Sequence, residues 1–490
     1  MDKEIPIKTG INTEEIKRKS FIGVAVLTSR NIVLQVITLI AQFVLSVILS
    51  TEAYGIFIVV TASVNFLNYF SDIGLAGALI QKKDEPSPDD LATTFTIQQF
   101  LVGIAVFVAL LFSFHIDKLY KFGNNGVFLF RAMVISFMLS SLKTIPSIIL
   151  ERKLDFHKLI LPQIAETVVF YIIAILLALK GLGVQSYAWA ALARGLTGVI
   201  VLYLIAPWKP EFKIKMQSAK NLLSFGIPYQ TTSFLALLKD DLLIAYLGII
   251  LPFTQIGYIG WAKKWSEIAL RLFMDNIIKV TFPMFSRLQN ESAILAKGIE
   301  KSLTFLVLVT FPIAIGMMFL IKPFTMIIPS YSKWQPALIS FYLFTISAIL
   351  ATISSPLFNA LNALGKVKYT FYLMIMWTVL TWLLVPITVR LVGFNGYAIV
   401  ATIIGLTSFI PIIFVKKIVC FSFLKQLIRP TIAASFLTLV LIMLSLLHLN
   451  PLLQILTSVF IGAIIYISVI YQLMSVELLP YIQLFFRKYS

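Results

Sequence analysis

The chain has 490 residues, 59% of them apolar by the AVILMFWYC count and 13% charged, about half the charged fraction of an ordinary soluble protein. A water-soluble core cannot absorb that much apolar surface, so a soluble enzyme or binding module is excluded. The 40 Lys and Arg against 22 Asp and Glu give a net charge of +18, which in a soluble chain would point to nucleic acid. Here the basic residues fall mostly in short loops between apolar runs, where they act as topology signals beside an anionic leaflet. The single cysteine, Cys420, excludes an intrachain disulfide and a cysteine metal cluster, and His115, His157 and His448 are scattered over separate segments. Neither metal, cofactor nor nucleic-acid partner is expected.

The first twenty residues are polar and mixed in charge. The apolar stretch from Phe21 to Ile48 is too long for the ~7–15-residue core of a cleavable signal peptide, and it reads as a first membrane helix. With ~20 apolar residues per crossing, the pattern predicts six helices at 21–48, 53–79, 93–114, 126–149, 159–180 and 185–206. Six more follow at 222–249, 254–285, 300–329, 335–361, 369–391 and 395–419, and two close the chain at 431–448 and 452–473. If the N-terminus is cytoplasmic, 25 of the 40 basic residues lie on the inner side, 6 on the outer side and 9 within spans. One missed helix would invert every later loop, so this asymmetry supports about fourteen crossings with both termini inside. No predicted loop is long enough to hold a soluble catalytic domain.

The fold expected is therefore an all-α integral membrane protein with two pseudo-repeated six-helix lobes around a central cavity plus two C-terminal helices. Its parts are a cytoplasmic tail (1–20), an N-lobe (21–206), a cytoplasmic linker (207–221), a C-lobe (222–419), two further helices (420–473) and a cytoplasmic C-terminal tail (474–490). The duplication shows in related wording, Ala53-Tyr54-Gly55-Ile56-Phe57 against Gln255-Ile256-Gly257-Tyr258-Ile259. A helix, proline and basic-loop pattern also recurs, at Ile145-Pro146-Ser147 and Ser355-Pro356-Leu357. Repeats of six helices share one orientation and place a solute path between them.

An ionised group at the bilayer centre costs ~2.5–3.5 kcal/mol even on a lenient scale, so charges within spans need a reason. The eighth helix carries Lys263, Glu267, Arg271, Asp275 and Lys279 at four-residue spacing, with Lys264 beside them. That spacing stacks side chains of alternating sign along one stripe. The stripe is either a salt-bridge ladder joining helices or the lining of a wet cavity. The first helix adds Arg30, Asn31, Gln35, Thr38 and Gln42; the second adds Asn65, Asn68 and Asp72; the seventh adds Thr231, Thr232, Ser233 and the run Lys239-Asp240-Asp241. The substrate-binding candidates are the basic and amide residues of this set: Arg30, Asn31, Gln35, Asn65, Asn68, Lys239, Lys263, Lys264, Arg271 and Lys279. Arginine forks suit phosphate or carboxylate oxygens. Buried carboxylates are natural carriers of a coupling ion, which makes Asp72, Asp240, Asp241, Glu267 and Asp275 the ion-coupling candidates. Lys143, Glu166 and Arg194 stand alone in the fourth, fifth and sixth helices, and the last two read as a structural pair.

Four stretches resemble the Wzx-type polysaccharide flippases of the multidrug/oligosaccharidyl-lipid/polysaccharide exporter superfamily. They are Asp72-Ile73-Gly74-Leu75-Ala76-Gly77-Ala78-Leu79-Ile80-Gln81, the run from Ile145-Pro146 through Leu150-Glu151-Arg152-Lys153-Leu154-Asp155-Phe156, Gly181-Leu182-Gly183-Val184, and Phe282-Pro283 with Ser286-Arg287-Leu288-Gln289. The resemblance runs over nearly the whole chain. It implies a non-enzymatic flippase of the bacterial inner membrane that exports an undecaprenyl-diphosphate-linked oligosaccharide for O-antigen, capsule or exopolysaccharide assembly. It also implies membrane lipids and the pathway's polysaccharide polymerase and glycosyltransferases as partners. A cationic cavity lined by the first two helices of each lobe would carry over to Arg30, Asp72, Lys239, Lys263 and Arg271. Asp240, Asp241 and the alternation in helix eight depart from a purely cationic lining. Two other readings stay open: an organic-cation antiporter of the same superfamily, which would need a deep carboxylate away from any base, and a membrane enzyme such as a polymerase, which would need large loops.

Overall fold

The computed structural model describes the backbone of residues 33–72, 74–82, 84–153 and 155–487. Side chains are described throughout these except at 68, 70–72, 225–233, 269, 272, 275, 276 and 476–487. In hydrocarbon every backbone N–H and C=O must be satisfied within the segment, which leaves the helix as the solution for these apolar runs. The described residues are accordingly helical, with no strand. In chain order the helices are α1 (described over Val33–Ile48), α2 (Thr51–Asp72), α3 (Leu75–Gln81), α4 (Pro88–Leu111), α5 (Ser113–Tyr120), α6 (Gly123–Ser141), α7 (Thr144–Arg152), α8 (Phe156–Leu179) and α9 (Val184–Ile205). Then come α10 (Met216–Ile250), α11 (Phe253–Arg287), α12 (Ser292–Ile327), a 3-10 segment (Pro329–Ala337), α13 (Leu338–Ala363), α14 (Val367–Val392), α15 (Asn395–Leu406), α16 (Ile410–Lys416), α17 (Phe423–Leu446) and α18 (Pro451–Arg487).

Nine described segments are long and apolar enough to cross a membrane, and α6 with α7, bent by 42°, makes a tenth. The shorter apolar helices α1 and α2 and the 35-residue α10 and α11, whose charges lower their hydropathy, bring the architecture into line with about fourteen crossings. The chain divides into two compact units. One comprises residues up to Leu49 and Val59–Phe234; the other comprises Ser50–Ile58 and everything from Leu235.

In the first unit α9 packs against both α6 and α8. The two longest stretches that carried the family resemblance meet there, because α3 packs on α7 through buried Leu75, Ala78, Leu79, Ile145 and Ile148. Gly74 opens α3 at φ 77°, a conformation that costs glycine nothing. The far end of α3 is closed by Arg152, whose guanidinium donates to the carbonyls of Leu79 (2.7 Å), Ile80 (3.0 Å), Lys82 (2.8 Å) and Asp84 (2.9 Å). Leu79 and Ile80 are among the orphan acceptors that any helix C-terminus leaves, and Lys82 and Asp84 belong to the chain that follows it. Ser87 and Asp90 form a reciprocal capping box at the start of α4. The segment before α10 is strapped to that helix. The backbone N–H groups of Lys213 and Lys215 donate to Thr96 Oγ1 (2.9 Å) and Thr93 Oγ1 (3.0 Å), and both ammonium groups reach Asp89. The Asp89 carboxylate holds the Lys213 ammonium above its usual range.

In the second unit α11 packs on α13, α13 on α15, and α17 and α18 on α12, where Tyr466 donates to the Leu308 carbonyl at 2.7 Å. The 3-10 segment is anchored through its buried Tyr331 and Trp334 by Trp261, which donates to Tyr331 OH at 2.9 Å and stacks on Trp334 at 5.4 Å; Tyr54 meets Trp334 edge-on. The glycines of the two related turns sit where α2 and α11 cross. A Cβ on Gly55 would run into the carbonyl of Phe253, and one on Gly257 into the carbonyl of Thr51.

The duplication is plainer in three dimensions than in those turns. In the first unit Ser136 Oγ donates to Ala191 O (2.7 Å) and Gly195, one turn on, lies against Ser136 and Leu139. In the second, Ser347 Oγ donates to Ala401 O (2.8 Å) and Gly405 lies against Ser347 and Leu350. The wording follows the geometry: Gly183, Tyr187-Ala188, Ala191 and Gly195-Leu196-Thr197 match Gly393, Tyr397-Ala398, Ala401 and Gly405-Leu406-Thr407.

The glycine crossing gives a sign test. Alanine in place of glycine inside a helix ordinarily gains ~0.5–1 kcal/mol, whereas overpacking costs ~1–3 kcal/mol. Gly257→Ala is expected to lower the thermal unfolding temperature in detergent, while Gly103→Ala, with nothing within 4 Å of the new Cβ, is expected to raise it slightly.

Candidate functional site

Five of the charged candidates of the second unit line one cavity of about 250 Å³ between α10, α11, α13, α14 and α15. From α10 come Lys239 and Asp240, and from α11 come Lys263, Glu267 and Arg271. The opposite wall carries hydroxyls and aromatic rings, among them Ser347, Trp377, Thr381 and Tyr397. Trp382 fixes the backbone at the charged turn of α10 by donating to the Leu238 carbonyl at 2.9 Å.

Lys263 is the hub of the charged wall. Its ammonium lies 3.1 Å from Asp240 Oδ1 and donates to Tyr397 OH at 3.0 Å, joining α11 to α10 and to α15. The other oxygen of Asp240 faces Lys239 at 3.7 Å. One turn further along α11, Arg271 Nη2 and Glu267 Oε2 form an i,i+4 pair at 2.8 Å. The ladder suggested by four-residue spacing is therefore realised only in part: Glu267 and Arg271 pair along the helix, while Lys263 turns across to α10. Three cations and two carboxylates share the wall, and the Arg271 side chain remains 57% exposed.

Asp241 is half-buried and off this wall, and Lys264 and Lys279 are exposed and also off it. In the first unit Gln35 and Asn65 are half-buried, and Gln42 donates to Tyr171 OH at 3.4 Å. Arg30 and Asn31 lie outside the described residues, as do the side chains of Asn68, Asp72, Asp275, Thr231, Thr232 and Ser233. Glu166 and Arg194 do come together, with Nε and Oε2 3.7 Å apart, but the closer partner of Glu166 is Lys143. Sequence reasoning missed that third member, and it missed Tyr397 and Trp377. The repeated Gly-x3-Tyr-Ala wording would have singled out Tyr397.

The helical membrane scaffold is shared with solved structures. The lipid II flippase MurJ in an inward closed conformation aligns with a TM-score of 0.71 at 16% identity, covering 90% of this chain and 98% of that one. An inward-facing multidrug resistance MATE family transporter aligns with a TM-score of 0.59 at 14% identity, covering 78% and 95%. The chain belongs to the polysaccharide biosynthesis protein family, whose model matches residues 44–339. The teichuronic acid biosynthesis protein TuaB of Bacillus subtilis is 23% identical over 309 residues, 63% of each chain. The succinoglycan biosynthesis transport protein ExoT of Rhizobium meliloti is 24% identical over 452 residues, 86% of this chain and 87% of that one. The family resemblance read from the sequence is thus confirmed, and the fold is the one seen in the solved MurJ flippase and MATE transporter structures.

The cavity wall tests whether the α11 charges are scaffold or path. The double substitution Glu267→Arg with Arg271→Glu preserves the pair but shifts the guanidinium by one turn, ~5.4 Å. It leaves a carboxylate where an anion would rest, and like charges in a poorly solvated cavity repel by several kcal/mol (order of magnitude). The expected outcome is a folded protein, by thermal unfolding in detergent, that has lost most transport. Wild-type transport by the swapped protein would assign the pair to scaffolding.

Proposed function

We propose that this protein moves an undecaprenyl-diphosphate-linked oligosaccharide from the inner to the outer leaflet of the bacterial cytoplasmic membrane by alternating access, for O-antigen, capsule or exopolysaccharide assembly. The observation that carries the reading is the cavity wall of three cations against two carboxylates, with the Arg271 fork half exposed to the cavity. A diphosphate is the part of such a substrate that needs a protein counter-charge in a poorly solvated path, and a guanidinium fork meets phosphate oxygens in bidentate geometry. The names of the relatives, which concern teichuronic acid and succinoglycan biosynthesis, support a polysaccharide precursor as cargo.

The lobes, linker and tails keep the boundaries read from the sequence in this proposal, with both termini cytoplasmic. The basic-residue asymmetry supports that orientation, and a cysteine placed at position 252 that reacted only from the cytoplasmic side would reverse it. Export of an anion is assisted by a negative-inside potential by ~2.3 kcal/mol per charge per 100 mV. The polymerase and glycosyltransferases of the same pathway are the partners proposed. The organic-cation antiporter is disfavoured at this cavity, because each carboxylate on the wall, Asp240 and Glu267, already faces a cation of the chain itself.

Arg271 supplies the test, using liposomes reconstituted with fluorescent lipid-linked oligosaccharide. A charge-assisted hydrogen bond is worth ~1.5–3 kcal/mol, so Arg271→Ala is expected to slow leaflet exchange by about ten- to a hundredfold at normal protein incorporation. Arg271→Lys should recover part of it. Arg30→Ala is expected to behave like Arg271→Ala. Normal exchange by both alanine proteins would refute headgroup capture by these arginines.

A further inference from the structure

We infer that the first unit holds a second anion-binding site, centred on Arg194 of α9, that takes a phosphate or carboxylate group. The inference rests on the reading of the cargo as anionic and adds a residue that neither spacing nor the first two helices of either lobe would select.

Glu166, on α8, is buried, and its carboxylate is already neutralised by the ammonium of Lys143 at the break between α6 and α7. Room for that pair exists because α9 presents Gly198; a Cβ there would run into the Glu166 carboxylate and come within 2.8 Å of Lys143 Nζ. Arg194 is a surplus cation. Its Nε is 3.7 Å from Glu166 Oε2, beyond hydrogen-bonding reach, and its guanidinium lies 5.9 Å from the Phe170 ring centroid. None of its N–H groups donates a hydrogen bond among the described residues, and its side chain is 54% exposed.

Placement decides what that exposed half meets. Arg194 is the only charged residue of α9 and lies halfway along it, between Val184 and Ile205. Mid-span is ~15 Å from either edge of the hydrocarbon, too far for the stem to carry its charge to a headgroup layer. A guanidinium half exposed to lipid at that depth would cost several kcal/mol; the exposed half therefore faces water. The internal repeat supports this independently. Arg194 directly precedes Gly195-Leu196-Thr197, as Ile404 directly precedes Gly405-Leu406-Thr407, and Ile404 lines the cavity of the second unit. The scaffold accepts an isoleucine at this wall position, so the arginine answers to a ligand rather than to packing. Five donors in a fixed fork, none of them donating a hydrogen bond among the described residues, suit a phosphate or carboxylate.

Site-resolved chemical modification tests this on the wild-type chain, avoiding any question of misfolding. The purified protein in detergent is treated with water-soluble p-hydroxyphenylglyoxal, and modification of each arginine is followed by mass spectrometry with inorganic pyrophosphate or with sodium chloride at equal ionic strength. Arg194 is expected to react, and for a site of about millimolar affinity, 10 mM pyrophosphate should slow its modification about tenfold while chloride does not. An unreactive Arg194, or one that reacts equally fast in both salts, overturns the inference. Protection of Arg271 without Arg194 would sink this site alone; protection of neither would count against the anionic-cargo reading as well.

Discussion

An ammonium group cannot sit in the low-dielectric interior of a membrane protein without partners, and the contact that satisfies Lys263 organises the second unit. Held between the Asp240 carboxylate and the Tyr397 hydroxyl, it fastens α11 to α10 on one side and to α15 on the other. Those contacts turn three helices into the wall of a cavity instead of letting them close on one another. Removing Asp240 would strand a charge, which costs far more than the pair contributes. The same constraint bears on α10 and α11, 35 residues each: Lys239 and Asp240 of the one and Lys263, Glu267 and Arg271 of the other share the cavity wall.

The two units use one scaffold for different electrostatics. In both, a serine hydroxyl closes on an alanine carbonyl beside a buried glycine, setting the approach of α6 to α9 and of α13 to α15. On that common frame the second unit places its charges on α10 and α11, opposite an aromatic and hydroxyl wall. The first pairs a half-buried lysine at the break between α6 and α7 with a buried glutamate on α8, with an arginine on α9. A packing requirement would have to recur wherever the frame recurs. These charges do not recur, so the shared frame alone does not account for them.

Much of the architecture was legible in the sequence because hydrocarbon enforces it: a run of some twenty apolar residues has no alternative to a helix. The stretches that carried the family resemblance were legible as words but not as a mechanism. Only the fold reveals that they pack on each other and that Arg152 closes the end of α3. Helical spacing put Lys263, Glu267 and Arg271 on one stripe, and the expected cavity between repeats added Lys239 and Asp240, yet neither could tell which pairs would form. Spacing along α11 favours Glu267 as the partner of Lys263, and it contains no information about α10 or α15. Lys143 escaped for the same reason: its partner is on another helix, and only the bend at α6 and α7 brings the two together.

The central claim is that an anionic diphosphate is the handle by which a lipid-linked oligosaccharide is moved. Its most direct test compares two fluorescent substrates in the same liposomes, identical in lipid and sugar but joined by a diphosphate in one and by a neutral ether in the other, and measures exchange between leaflets with the potential clamped. The account predicts protein-dependent exchange of the diphosphate form and a rate near background for the neutral form. Equal protein-dependent rates for both would contradict it.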